Sequence, residues 1–156
     1  MTAAGEDDLW DLVVSGRQGV LATLKRDGAP QMSNVLYVTD PDGRVVRIST
    51  TGDRAKARNL TRDPRAALHV LGDDFWNYAV AEGTVTLSGI ATTPGDDATR
   101  ELLAVHSRFY GDQDPDAFGE EMIAARRLVV RLHVDRLYGI IAPGGRRPAP
   151  APGTEG

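Results

Sequence analysis

GVLATLKRDGAPQMSNVLYVTDPDGRVVRIST, residues 19–50, is the stretch that decides the fold. It runs strand-like from Gly19 into Asp27-Gly28, a strong hairpin turn. The next run, Pro30 to Asp40, is rich in β-formers toward its end. Asp40-Pro41-Asp42-Gly43 is a second turn with a mechanism, since Pro presets φ and Gly supplies a positive φ. Arg44–Thr50 follows as a third strand. Two close turns joining three strands predict an antiparallel meander.

Upstream, Asp7-Asp8 open a short helix whose apolar residues Leu9, Leu12 and Val13 recur at helical spacing, ending near Gly16. Downstream, residues 54–62 read as a helix with Asp53 as N-cap, stopped at Asp63-Pro64. Residues 65–71 are a fourth strand. Residues 77–92 form a long β-run in which Gly83 and Gly89 mark bulges or close backbone approaches. Helices are expected over about 97–109, with Leu102, Leu103, Val105 and Phe109 facing the core, and over about 115–125. Residues 126–141 are the last strand region, with Leu128, Val130, Leu132 and Val134 alternating. From residue 142 the Pro, Gly and Ala content predicts a disordered tail to residue 156. Six or so antiparallel strands with peripheral helices predict a mainly β fold, a small barrel, rather than a doubly wound sheet. Residues 1–141 read as a single domain.

Bulk properties narrow the class. The chain has 156 residues, 41% of them apolar, and a net charge of −4. That balance argues against a general nucleic-acid binder. No apolar run approaches the about 18 residues of a membrane-spanning helix. The acidic N-terminus does not read as a secretory signal, so the expected location is the cytoplasm. There is no cysteine, which excludes disulfides, thiolate metal sites and cysteine nucleophiles. Lys25 and Lys56 are the only lysines.

The sharpest local feature is ISTTGDRAKARN, residues 48–59. It passes from a strand end through hydroxyls and a glycine into a helix with Arg54, Lys56, Arg58 and Asn59. A helix N-terminus offers unpaired N–H groups and a positive dipole to an anion. Ser49, Thr50 and Thr51 supply hydroxyl donors. Arginine grips phosphate with two parallel bonds, while lysine acts as a mobile point charge. Arg54 and Arg58 share one helix face, and Lys56 and Asn59 another. Two readings fit the pattern, an anion site or a solvated basic face, and Asp53 counts against an anion seated directly on the helix end.

The motifs GVLATLKRDGAPQMSNVLY, RISTTGDRAKARNLTRDPRAALHV and FWNYAVAEGTVTL, in that order, carry a resemblance. Over about residues 8–141 the chain resembles the pyridoxamine 5′-phosphate oxidase-like split-barrel family. Within it, the chain is similar to the actinobacterial branch that uses the deazaflavin coenzyme F420. The resemblance implies a homodimer of split β-barrels with two cofactor sites at the interface. It assigns Arg54, Lys56 and Asn59 to the cofactor phosphate, helped by Ser49 and Thr50. It puts Gln31, Ser33 and Asn34 beside the ring system and brings Trp76 and Tyr78 in from the partner subunit. From the residues alone, Trp76 and Tyr78 fit core or dimer packing equally well, and Gln31 and Ser33 fit an outward strand face.

No catalytic set is visible. His69 and His133 lie in strand patterns and His106 in a helix, without metal-ligand spacing, and each reads as structural or surface. No catalytic side chain and no metal are assigned. That suits a cofactor enzyme, where the cofactor carries the electron chemistry and the protein binds, orients and excludes water. The resemblance implies hydride transfer from reduced F420 to a small molecule with conjugated double bonds or a carbonyl, including tetrapyrroles such as biliverdin. Two alternatives remain: a flavin mononucleotide (FMN) oxidoreductase of the same fold, and a non-catalytic cofactor or tetrapyrrole carrier.

Overall fold

The computed structural model describes residues 4–142. In chain order the elements are α1 (Glu6–Ser15), β1 (Gln18–Leu24), β2 (Pro30–Leu36), β3 (Val38–Asp40), β4 (Val45–Thr51), α2 (Ala55–Arg62), β5 (Arg65–Leu71), β6 (Tyr78–Leu87), α3 (Asp97–Tyr110), α4 (Pro115–Ala124) and β7 (Arg127–Ile140). The seven strands make one sheet in the order β2-β1-β5-β6-β7-β4-β3, with every pairing antiparallel.

That order corrects the expected meander. The run from Pro30 to Asp40 is two strands broken at Tyr37, and the two hairpins it joins do not pair side by side. β2 and β3 occupy opposite ends of the sheet, yet one residue separates them in sequence. In a flat sheet those edges would stand roughly 29 Å apart, while one extended residue spans about 3.4 Å. The sheet must therefore curl until its edges meet. Tyr37 sits fully buried at the joint. Its hydroxyl donates to the Val13 carbonyl at 2.6 Å and its amide to the Arg17 carbonyl at 2.9 Å. α1 is thereby pinned across one end of the barrel.

Local chemistry explains the remaining departures. In the second turn the left-handed residue is Arg44 (φ 50°), not Gly43. A side chain there costs about 1 kcal/mol. Contacts on both sides of Arg44 hold it in place: its guanidinium reaches Asp7 at 2.8 Å and Glu6 at 3.4 Å on α1, and its carbonyl accepts from the Val134 amide. The N-cap of α2 is Arg54, and no side chain caps it. Asp53 instead accepts from the Thr51 hydroxyl at 2.6 Å within the preceding turn. Gly83 is the bulge that the sequence marked, since the β6–β7 register shifts between Glu82 and Gly83. A Cβ at Gly83 would fall 1.8 Å from the His133 carbonyl oxygen, so only glycine fits. Gly89 lies beyond β6, at φ 79°.

The core has two parts. Inside the barrel, alternate residues such as Leu21, Val46, Ile48, Leu68, Val70, Val130 and Leu132 pack with Leu9 and Val13 of α1 and Leu60 of α2. On the outer face of β4 and β7, α3 and α4 bury Leu102, Val105, Phe118 and Met122 against Val129. Leu103 and Phe109 border this second cluster, and Val134 borders the first. Asp96 caps α3, accepting from the Thr99 amide at 2.8 Å, and Asp114 caps α4 ahead of Pro115.

The outer face of β2-β1-β5-β6-β7 is different. Leu71, Tyr78 and Ile140 stand in one cross-strand row, with Leu71 55% and Ile140 39% exposed. Met32 and Leu36 of β2 add exposed apolar surface at its edge. Ala142, where the predicted tail begins, donates its amide to Asn77 Oδ1 at 2.7 Å, and the rest of that tail lies outside the described residues.

Tyr37→Phe removes one of two donors to the buried Val13 carbonyl, which keeps the Gly16 amide at 3.2 Å, an expected loss of about 0.5–1.5 kcal/mol in urea unfolding. Burial pushes the Tyr37 phenol up, so the unfolded chain ionises first and the wild type weakens as pH rises past about 10. The two proteins should differ less at high pH than at neutrality, and an unchanged difference would argue against a proton held on Tyr37.

Candidate functional site

Strand alternation on β4 builds the site. Val46, Ile48 and Thr50 point into the barrel, so Arg47, Ser49 and Thr51 point out beneath α3. Ser49 Oγ lies 2.9 Å from His106 Nε2 of α3 and accepts from an Arg127 guanidinium N–H at 3.1 Å. The register puts Arg127 at the start of β7, opposite Thr51. Its neighbour Arg126 (φ 52°) makes the left-handed turn out of α4, donating to the Ile123 carbonyl and accepting from the Gly52 amide. α3 is held over this face by Glu101, which takes the Arg131 Nε–H at 2.6 Å.

These groups open onto a cavity of about 250 Å³ lined by Asn34, Leu36, Ser49, Lys56, His106, Phe109, Tyr110 and Arg127. No carboxylate lines it among the described residues. Lys56 makes no hydrogen bond or ion pair among the described residues. Burial, and then the nearby Arg54 charge, hold its ammonium below the usual lysine range. The His106 imidazole is likewise held down, first by burial and then by Arg127, with Glu121 opposing. Its ring meets the edge of Phe118 at 5.2 Å. Two cations, a hydroxyl and an imidazole around a small carboxylate-free cavity suit an anion.

The structure gathers three of the expected residues, Asn34, Ser49 and Lys56, around this cavity. It turns others elsewhere. Thr50 is buried in the barrel, since neighbours on a strand face opposite ways. Asn59 is buried too, its amide donating to Thr23 Oγ1 at 3.1 Å and its carbonyl accepting from Arg62 at 3.3 Å. Arg54 is exposed at the start of α2. Gln31 and Ser33 share the Val35 side of β2, while Asn34 lies on the opposite side with Met32 and Leu36. Trp76 is 62% exposed in the β5–β6 loop, edge-on to Phe75. Tyr78 stacks on His69 at 5.3 Å on the outer sheet face. Neither lines the cavity.

Sequence reasoning missed Arg127 and His106. The signals were present but weak. His106, Phe109 and Tyr110 fall at i, i+3 and i+4 on one helix face, and Arg127 follows another arginine at a strand start. Nothing local brings either of them to Ser49.

A second groove, of about 730 Å³, lies across the outer sheet and shares Asn34, Val35 and Leu36 with the cavity. Arg17, Gln18, His69 and Leu71 also line it. A curled seven-strand antiparallel sheet with helices on its outer face defines a split-barrel fold. The chain belongs to the pyridoxamine 5′-phosphate oxidase family, whose sequence profile matches residues 9–140. A solved structure of a conserved hypothetical protein from Mycobacterium tuberculosis is 25% identical, at a TM-score of 0.66, over 91% of this chain and 93% of that one. A solved F420 reductase is 26% identical, at a TM-score of 0.61, over 81% of this chain and 93% of that one. A heme binding protein from Mycobacterium smegmatis shares the fold at 22% identity and a TM-score of 0.63, over 92% of this chain and 57% of that one. Among the described residues, no helix is long and apolar enough to cross a membrane.

The buried Asn59 amide gives a direct test of role. Asn59→Ala should lower stability by about 1–3 kcal/mol, because Thr23 and Arg62 lose a partner inside the fold. Unfolding midpoints check this, and an unchanged midpoint would return Asn59 to ligand binding.

Proposed function

We propose that this protein is an F420-dependent oxidoreductase, passing hydride from the reduced deazaflavin to a small conjugated or carbonyl-bearing acceptor. The observation that carries the reading is the carboxylate-free cavity of Lys56, Arg127, Ser49 and His106, continuous along β2 with the larger groove. The 26% identity with an F420 reductase, over most of both chains, supports the choice of cofactor.

Size decides how the cofactor sits. Pockets that enclose a cofactor-sized ligand run to about 300–1,000 Å³. The cavity, at about 250 Å³, takes the phosphate end and not the ring system. The ring belongs beside β2, next to Asn34, with Gln31 and Ser33 at the strand's other side. One protomer leaves that position open, which favours a second copy as the missing wall. The cross-strand row of Leu71, half-buried Tyr78 and Ile140, exposed at its two ends, with Met32 and Leu36, supplies an apolar face for such a homodimer. The exposure of Trp76 on its loop supports its reaching across in that dimer, and the charge of Arg54, next to Lys56, supports an anion there. When bound, the deazaflavin supplies the hydride. The chain's own part is to grip the anion, orient the ring and exclude water.

Titration of the purified protein with F420 and with FMN, followed by fluorescence, tests the assignment. Tighter F420 binding is expected, together with turnover of a reducible acceptor. Preferential FMN binding overturns the cofactor choice, and tight F420 binding without turnover overturns the enzyme. Lys56→Ala and Arg127→Ala should each weaken F420 binding by about 1–3 kcal/mol through loss of a charge-assisted bond. Sedimentation should find a dimer that Leu71→Glu weakens.

A further inference from the structure

The hydrogen bonds around Ser49 have a direction. The Arg127 guanidinium only donates, so it occupies a lone pair of Ser49 Oγ. The imidazole Nε2 stands 2.9 Å away on the other side. If Nε2 is unprotonated, the Ser49 proton points to it and is withheld from the cavity. If Nε2 carries a proton, it donates to Ser49, and the hydroxyl proton can turn to an anion between Lys56 and Arg127. We propose that His106, resting as the Nδ1–H tautomer with Nε2 as acceptor, is the positioning residue of the anion site, taking one proton from solvent onto Nε2 when an anion binds and so releasing the Ser49 hydroxyl to donate to that anion. One N–H bond forms at Nε2 as an O–H bond of a solvent hydronium breaks, and the Ser49 hydrogen bond reverses its direction.

The charges around the ring fit such a relay. Arg127 on β7 and Lys56 on α2 line the same cavity, Glu121 on α4 is the opposing carboxylate, and Tyr110 stands on the same helix. Burial and then Arg127 hold the imidazole below its ordinary range, favouring the neutral ring. An anion beside Lys56 and Arg127 offsets the Arg127 field, so the imidazolium forms more readily. The anion therefore binds best when His106 is protonated, and affinity falls as pH rises through the anion-bound titration.

The inference rests on reading the cavity as an anion site. Sulfate is a suitable probe because it does not itself titrate near neutrality. Imidazole resonances of the wild type, followed by NMR against pH in sulfate and in chloride of equal ionic strength, report all three histidines separately. His106 should titrate about one pH unit higher in sulfate, equivalent to about ten-fold weaker sulfate binding at the alkaline end. His106→Gln should bind sulfate with an affinity independent of pH. A His106 titration that sulfate leaves in place, or a pH dependence that survives in His106→Gln, overturns the relay. F420 binding with an unmoved His106 overturns the relay alone, whereas failure of both F420 and sulfate to bind overturns the anion site with it.

Discussion

The curl of the sheet depends on one joint. Tyr37 links two strands at opposite ends of a seven-strand order, and a single residue cannot bridge a flat sheet of that width. Its buried hydroxyl on the Val13 carbonyl ties the joint to α1, which closes the barrel end. Everything downstream inherits that geometry. The edge strand β2 is brought round beside β4 and α3, and the space between them becomes the cavity shared by Asn34, Ser49 and Lys56.

Within that frame, β4 serves two environments at once. Its inward residues complete the core, and its outward residues meet charged partners under α3. Ser49 is the residue where these demands meet. It is held by Arg127 from the next strand and faced by His106 from the covering helix. A polar hub of this kind, partly buried and short of carboxylates, favours an anion for the same reason that it disfavours a protonated histidine.

Much of the fold was legible along the chain. The Asp27-Gly28 turn, the Gly83 bulge and the two acid-capped helices near residues 97 and 115 are local events, settled by φ preferences and by side chains reaching neighbouring amides. The candidate site was legible in part. Ser49 and Lys56 carried the right chemistry in the right segment. Thr50 and Asn59 carried it too, but the pleat turns one inward and Thr23 engages the other. Arg127 and His106 could not be found this way, because their link to Ser49 spans 78 and 57 residues.

The sequence by itself determined the turn positions, most of the strands, the helix spans, and a basic segment suited to phosphate. These follow from interactions within a few residues. Only the tertiary structure decided that the meander is two hairpins at opposite sheet edges, and that Arg44 rather than Gly43 takes the left-handed position. It alone decided that Thr50 faces the core while Ser49 faces α3, and which cations share a cavity with Ser49. Those outcomes depend on how a curled sheet closes, and closure is set by contacts between residues far apart in the chain.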